Sequence, residues 1–163
     1  MEVRAAHEDD LEQINEIYNH YVRTSPATFD IDEVSLETRR RWFEQFGSSG
    51  PHRIFVARDG DEILGFAYSS RLHERKAYET SLNVTVYVAP DRRTTGVGKA
   101  LYSALFEAIA GEDVHRAYAG ISMPNPASVR LHESFGFRQV AVFSEQGRKF
   151  DKYWDVAWFE KEL

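Results

Sequence analysis

The sequence predicts an α/β fold built on one mixed, mostly antiparallel sheet, and three observations carry that expectation. Two β-rich runs flank Asp59-Gly60, a dipeptide that favours a two-residue hairpin. Apolar residues recur at helical spacing in the segments between several strands. The resulting order, β-α-α-β-β-β-α-β-α-β-β, joins consecutive strands, which pair antiparallel, to β-α-β units, which need crossovers.

Val3 to Ala6 reads as a first strand. Leu11, Ile14, Ile17, Tyr18, Tyr21 and Val22 then mark one face of a helix, with Glu8, Asp9 and Asp10 at its start, where the helix dipole favours acids. Ser25-Pro26 ends it. A loop, SPATFDIDE, leads to a second helix from Ser35 to Phe46, closed by Gly47. RIFVARDGDEILGFAYSSRL is the hairpin, and TSLNVTVYVAP is a strand that Pro90 stops. Ala100, Leu101, Leu105, Ala108 and Ile109 stripe the third helix. RAYAGIS is a strand, and NPASVRLHESFGF is a short helix with Gly136 as its cap. RQVAVFSE and KYWDVAWFE complete the set. No repeat, linker or low-complexity stretch interrupts the 163 residues, which fit one domain, 1–163.

Composition narrows the function. A net charge of −6 argues against broad attraction to nucleic acid. The run Arg39-Arg40-Arg41 reads as a solvated helix face. With no cysteine there is neither a thiolate metal site nor a cysteinyl covalent intermediate; no metal is expected. No apolar run is long enough to span a bilayer, and residues 1–11 carry acids where a signal peptide needs a basic then apolar stretch. A cytoplasmic protein is expected, without membrane or nucleic-acid partners.

RRTTGVGKAL, Arg92 to Leu101, is the motif that carries chemistry. As a P-loop it fails: Ala100 stands where the metal-binding hydroxyl belongs, and Arg93 where the first glycine belongs. As a dinucleotide fingerprint it also fails, since Leu101 stands at the last small position and the motif lies in mid-chain. Glycines and arginine at a strand-to-helix junction instead suit a pyrophosphate, because unpaired helix N–H groups and the dipole favour an anion. The alternative is a glycine turn that merely starts a helix.

Together with NPASVRLHESFGF, the loop resembles the acetyl-CoA-binding core of the GNAT superfamily of N-acetyltransferases. IYNHYV, FVARDGDEILGFAY, AYETSLNVTVYVAPDRRTTGVGKALY and GRKFDKYWDVAWFE extend the likeness along most of the chain. The chain is most similar to the phosphinothricin acetyltransferase branch. The resemblance implies a sheet splayed in the middle, with the cofactor in the opening. Val86, Tyr87 and Val88 would face the pantetheine arm. Arg93, Thr94, Thr95, Gly96, Val97, Gly98 and Lys99 would cradle the pyrophosphate, and Asn125 and Ser128 would touch the distal pantetheine. The Val88 N–H would hold the oxyanion.

His132 stands where many members place a tyrosine near the thiol. It could act as acid or base, or simply pack. Asn83 replaces the branch's usual glutamate and cannot accept a proton. Glu79 could substitute. His73, Glu74 and Arg75 fall in the segment resembling the substrate loop, with Arg75 suited to a carboxylate, and Phe29 would roof the acceptor. Trp154, Trp158 and Phe159 read as core or dimer-interface residues. The expected activity is direct transfer of acetyl from acetyl-CoA to a primary amine of a small molecule, an amino acid or an analogue resembling phosphinothricin or methionine sulfoximine. A homodimer is expected. The alternatives are a protein N-terminal or lysine acetyltransferase, and a CoA-binding sensor weakened in catalysis.

Overall fold

Residues 1–90 and 95–163 are described by the computed structural model. The strands β1 (Glu2–Ala5), β2 (Ile54–Asp59), β3 (Glu62–Arg71), β4 (Ser81–Val88), β5 (Arg116–Ser122), β6 (Arg138–Lys149) and β7 (Lys152–Glu162) form one sheet in the order β1-β2-β3-β4-β5-β7-β6. Only β4 and β5 run parallel. The helices are α1 (Leu11–Thr24), α2 (Leu36–Phe43), α3 (Val97–Ile109) and α4 (Pro126–Ser134). None is long and apolar enough to cross a membrane among the described residues.

Alternation along the strands divides the core between two faces. On one, α1 packs through Leu11, Ile14 and Ile17, with Leu36 and Trp42 of α2 beside them, against Ile54, Val56, Phe66 and Tyr87. On the other, Leu101, Tyr102 and Leu105 of α3 pack against Ala57, Leu64, Ala67 and Val84.

The join between β4 and β5 positions the site. Pairing holds only from Ser81 to Asn83 against Arg116 to Tyr118. Beyond it the strands part, which is the splay that the resemblance implied. Ala89 N–H donates to Leu64 O. By the alternation of an antiparallel ladder, the N–H and C=O groups of Val86 and Val88 therefore face away from β3, into the opening.

Three local features differ from expectation. β6 runs on to Lys149 because its register breaks between Phe143 and Gly147, with Glu145 in the left-handed region at φ 54°. The Glu145 N–H is held there by Asp155 Oδ1 at 2.7 Å. α2 stops at Phe43, three residues short of Phe46. Arg39 is buried rather than solvated: its guanidinium lies 4.4 Å from the ring centroids of both Tyr18 and Trp42, and its Nε donates to Asn15 Oδ1 at 3.0 Å. Arg40 and Arg41 are exposed, with ion pairs of 3.7 and 3.6 Å, as the charge run predicted.

Candidate active site

A cavity of about 880 Å³ passes through the splay from one face of the sheet to the other. On the α3/α4 face its wall comprises Val86, Gly96, Val97, Gly98, Lys99, Asn125, Ser128 and His132. On the α1 face it comprises Phe29, Asn83, Tyr87 and residues that sequence reasoning missed. Thr95 adjoins the wall but is exposed outside it. Arg93 and Thr94 lie outside the described residues.

The cofactor side is built from backbone. Gly96 is the N-cap of α3 and sits in the left-handed region at φ 83°, which glycine adopts without a Cβ penalty. Among the described residues no side chain caps α3, so its first N–H groups suit an anion. Asn125 Oδ1 instead accepts from Ser128 N at 3.1 Å, so that side chain is occupied as the cap of α4. Gly98 faces Leu131, whose Cδ2 would lie 3.0 Å from an added Cβ. An added side chain there would thus press on the α4 wall of the cavity rather than point at the glycine loop. The outward N–H groups of Val86 and Val88, the open end of α3 and Lys99 together fit a long, amide-bearing, pyrophosphate-linked cosubstrate.

Val88 has a second contact. Tyr21 Oη donates to Val88 O at 2.6 Å across the opening. By the alternation of the ladder, the Val88 N–H faces the same opening.

His132 is buried with only 3% of its surface exposed. Its Nδ1 lies 2.7 Å from Ser128 O, an atom that can only accept, so Nδ1 carries the proton. Nε2 then accepts from Tyr102 Oη at 2.9 Å. Burial pushes the imidazole below its ordinary value, against a smaller opposing pull from the Ser128 carbonyl. Burial likewise raises the Tyr102 phenol far above its ordinary value. The pair is a neutral, fully satisfied dyad on the cofactor side, and Tyr102 is one of the residues sequence reasoning missed: it hides in an apolar helix stripe.

On the α1 face, Asn83, Thr85 and Tyr87 alternate along β4, joined by Tyr68, Gly120, Ser122, Val156 and Trp158. Pro26, Ala27 and Phe29 form the roof. Lys149 holds it: its Nζ donates to Ser25 O and Thr28 O at 2.8 Å each, with Tyr21 O at 3.4 Å. Ser122 Oγ donates to Pro26 O at 2.5 Å. The break in β6 brings Gln146 to the wall and lays Gly147 under the Phe29 ring. Among the described residues lining the cavity there is no carboxylate, and Asn83 has no side-chain hydrogen bond.

Trp158, expected in core or interface, stands on the cavity wall over Gly120, and its buried Nε1 has no partner among the described residues. Phe159 is core. Trp154 instead donates from Nε1 to Lys149 O at 2.9 Å.

Four expected site residues are elsewhere. His73 and Glu74 border a separate recess of about 530 Å³ with Gln45, His52 and Arg71. Arg75 and Glu79 border neither cavity and are exposed. The reason is local: His73 Nδ1 accepts from Arg75 N at 3.1 Å, and the His73 ring lies 4.9 Å from Tyr78, so the segment folds on itself beyond the sheet end.

Comparison with known proteins agrees with this geometry. Residues 3–158 match the family model described as an acetyltransferase (GNAT) domain. A phosphinothricin N-acetyltransferase of Streptomyces coelicolor is 51% identical over 165 residues, covering 100% of this chain and 96% of the relative. Among solved structures, a ribosomal-protein-alanine N-acetyltransferase of Brucella melitensis superposes with a TM-score of 0.94 at 31% identity, covering 100% of both chains. A phosphinothricin acetyltransferase of Sinorhizobium meliloti in complex with acetyl-CoA superposes with a TM-score of 0.90 at 29% identity, covering 99% of this chain and 88% of that one. With a splayed sheet, a glycine-capped helix at its opening and these relatives, the chain belongs to the GNAT acetyltransferase family and is an acetyl-CoA-dependent N-acetyltransferase.

Proposed function

We propose that the protein acetylates the primary amine of a small amino-acid-like molecule, of the kind represented by phosphinothricin or methionine sulfoximine. The observation that carries this reading is the roofed chamber on the α1 face, closed by Phe29, Gln146 and Trp158 and pinned by Lys149. A chamber of that kind suits a compact acceptor better than an extended peptide. The name of the Streptomyces coelicolor relative supports the same class.

In this reading acetyl-CoA enters from the α3/α4 face. Gly96, Val97, Gly98 and Lys99 take the pyrophosphate, and Val86 and Val88 take the pantetheine amides and the thioester. The amine approaches from the α1 face past Asn83. Attack on the thioester carbonyl places negative charge on its oxygen, which the Val88 N–H stabilises. Transfer is direct, since the chain holds no cysteine to carry an acetyl group. His132 and Tyr102 lie on the leaving-group side. Edge strand β6 carries exposed Val140, Val142 and Phe143, which supports assembly of two copies; sedimentation velocity tests that.

The test is thiol release from acetyl-CoA with a panel of amines: phosphinothricin, methionine sulfoximine, free amino acids, an alanine-terminated peptide and a lysine peptide. Turnover on the free amino acids or their analogues supports the proposal. Turnover confined to a peptide assigns the protein acetyltransferase reading instead, which the name of the Brucella neighbour favours. Cofactor binding without turnover assigns a sensor.

A further inference from the structure

The free edge of β4 offers two sets of backbone groups to a cosubstrate, and the two sets differ. Beyond Asn83 the strand has no partner on the β5 side, so Val86 and Val88 each turn an N–H and a C=O into the opening. Among the described residues nothing takes either group of Val86. The Val88 C=O is taken: Tyr21 Oη donates to it at 2.6 Å.

Tyr21 is held for this contact from several sides. Its ring lies 5.2 Å from Tyr87 and 5.6 Å from His20. Its own C=O closes the last turn of α1, accepting from Ser25 N at 3.0 Å, with Lys149 Nζ at 3.4 Å. Burial raises the phenol above its ordinary value, against a smaller pull from the Val88 carbonyl, so the hydroxyl keeps the hydrogen it donates. Tyr21 lines the same cavity as Val86 and Val88.

An amide pairs with a strand edge through its N–H and its C=O together, as a neighbouring strand would. Val86 suits an amide. A thioester has a carbonyl and no N–H. Opposite a bare Val88 its carbonyl would take the N–H, and the Val88 C=O would be buried without a donor, which is costly. With Tyr21 in place that C=O is satisfied, and Val88 offers only its N–H. Val88 then matches a thioester and rejects an amide, whose N–H would find no acceptor. Without the tyrosine, Val86 and Val88 would present one pattern twice, roughly 7 Å apart. An amide-bearing arm could then settle one step too far along the strand.

We propose that Tyr21 is a positioning residue that sets the register of acetyl-CoA on β4. By occupying the Val88 C=O it stops the amide-bearing arm at Val86 and leaves the Val88 N–H to the thioester carbonyl. The inference rests on the functional reading above, which puts the thioester at Val88. Tyr21 acts through the Val88 carbonyl, from the helix that leads into the acceptor roof.

Calorimetric titration with acetyl-CoA and with its amide analogue, in which N–H replaces the thioester sulfur, tests this stop with no acceptor present. The parent should bind acetyl-CoA more tightly than the analogue by about tenfold or more, because the analogue buries an N–H without a partner. Tyr21→Phe removes only the hydroxyl and keeps the ring beside Tyr87 and His20. It frees the Val88 C=O for the analogue's N–H, so the preference for the thioester should shrink about 2- to 10-fold, the worth of one hydrogen bond. A tyrosine that only supports the fold would weaken both ligands alike and leave their ratio unchanged. A melting curve checks the variant; should it unfold, the parent's ratio decides, and equal affinity for the two ligands overturns the stop. An unchanged ratio in folded Tyr21→Phe overturns it while the functional reading stands. A parent that binds neither ligand removes the cofactor reading and the stop with it.

Discussion

Gly147→Ala should impair the acceptor chamber and leave the cofactor side intact. An alanine Cβ at this position would lie 2.4, 2.5 and 2.7 Å from Cε2, Cζ and Cδ2 of Phe29. Carbon atoms rest at about 3.5–4.0 Å, so three ring atoms are short of contact distance by roughly 1 Å. Gly147 itself lies outside the left-handed region, so alanine meets no backbone penalty and the whole effect is steric. If the ring held its place, overpacking would cost about 1–3 kcal/mol of stability. Phe29 sits in a loop, however, and the easier response is for the ring to swing aside and redraw the chamber. A displacement near 1 Å costs on the order of 10²-fold in rate. The assay is a steady-state matrix in both substrates beside a melting curve. Expected are a fall of about 10- to 100-fold in kcat/KM for the amine and a KM for acetyl-CoA within about twofold of the parent. An unchanged kcat/KM for the amine, or a loss confined to acetyl-CoA, would show that Phe29 does not roof the acceptor.

The remaining predictions concern the cofactor side and the roof. Gly98→Val should displace Leu131 and narrow the cavity, weakening CoA binding about tenfold or more by calorimetric titration, since even one badly placed contact costs about 1–3 kcal/mol; unchanged affinity would remove this glycine from the cofactor wall. His132→Phe should lower turnover about 10²-fold or more and also destabilise the fold, because it strands the buried Tyr102 hydroxyl at a cost of about 1–3 kcal/mol. Adding Tyr102→Phe should restore the melting temperature and not the rate; a double variant that recovers both makes His132 a packing residue. Burial holds the His132 imidazole below its ordinary 6.5, so below pH 6.5 the unfolded chain binds a proton that the folded chain refuses. This contribution to stability is present above that pH and is lost as pH falls towards the folded value; the double variant should flatten that part of the melting curve, and an identical pH dependence would contradict it. Lys149→Met should raise KM for the amine more than KM for acetyl-CoA, because the three carbonyls it caps belong to the end of α1 and the roof; equal effects on both would make the lysine a general fold contact.

Much of this fold is written in local patterns. RAYAGIS reads as a strand and spans β5 residue for residue, because buried Ala117, Ala119 and Ile121 alternate with the less buried Arg116, Tyr118 and Gly120. The hairpin follows from turn chemistry, with its loop one residue on from the expected dipeptide: Asp59 pairs with Glu62 and the loop is Gly60-Asp61, with Gly60 at φ 59°. What local pattern cannot carry is the far side of the cavity. Gln146 reaches the wall through a register break that alternation does not encode, although the sequence Glu145-Gln146-Gly147 hints at a bulge. Arg39 belongs to a charge run in sequence, yet tertiary contacts with Tyr18 and Trp42 bury it. Tyr102 follows Leu101 of the apolar stripe and draws no notice in sequence, and only its distance to His132 marks its hydroxyl as partnered. His73, Glu74 and Arg75 resemble a substrate loop in sequence, yet the fold sets them outside the cavity through the splay. Tyr18 lies in α1 and Thr28 and Asp30 in the loop that follows it, so the hydrogen bonds of Tyr18 to both exist only once that loop folds back on the helix.

The central claim is that both substrates occupy one cavity through the splay, from opposite faces, and react directly. An initial-rate matrix of acetyl-CoA against phosphinothricin or methionine sulfoximine, read by thiol release, tests it most directly. Intersecting double-reciprocal lines, with no acetyl-protein isolable, are the predicted result. Parallel lines with an isolable acetyl-protein would contradict the account, because they would require a covalent acetyl-enzyme that the geometry of the cavity does not call for.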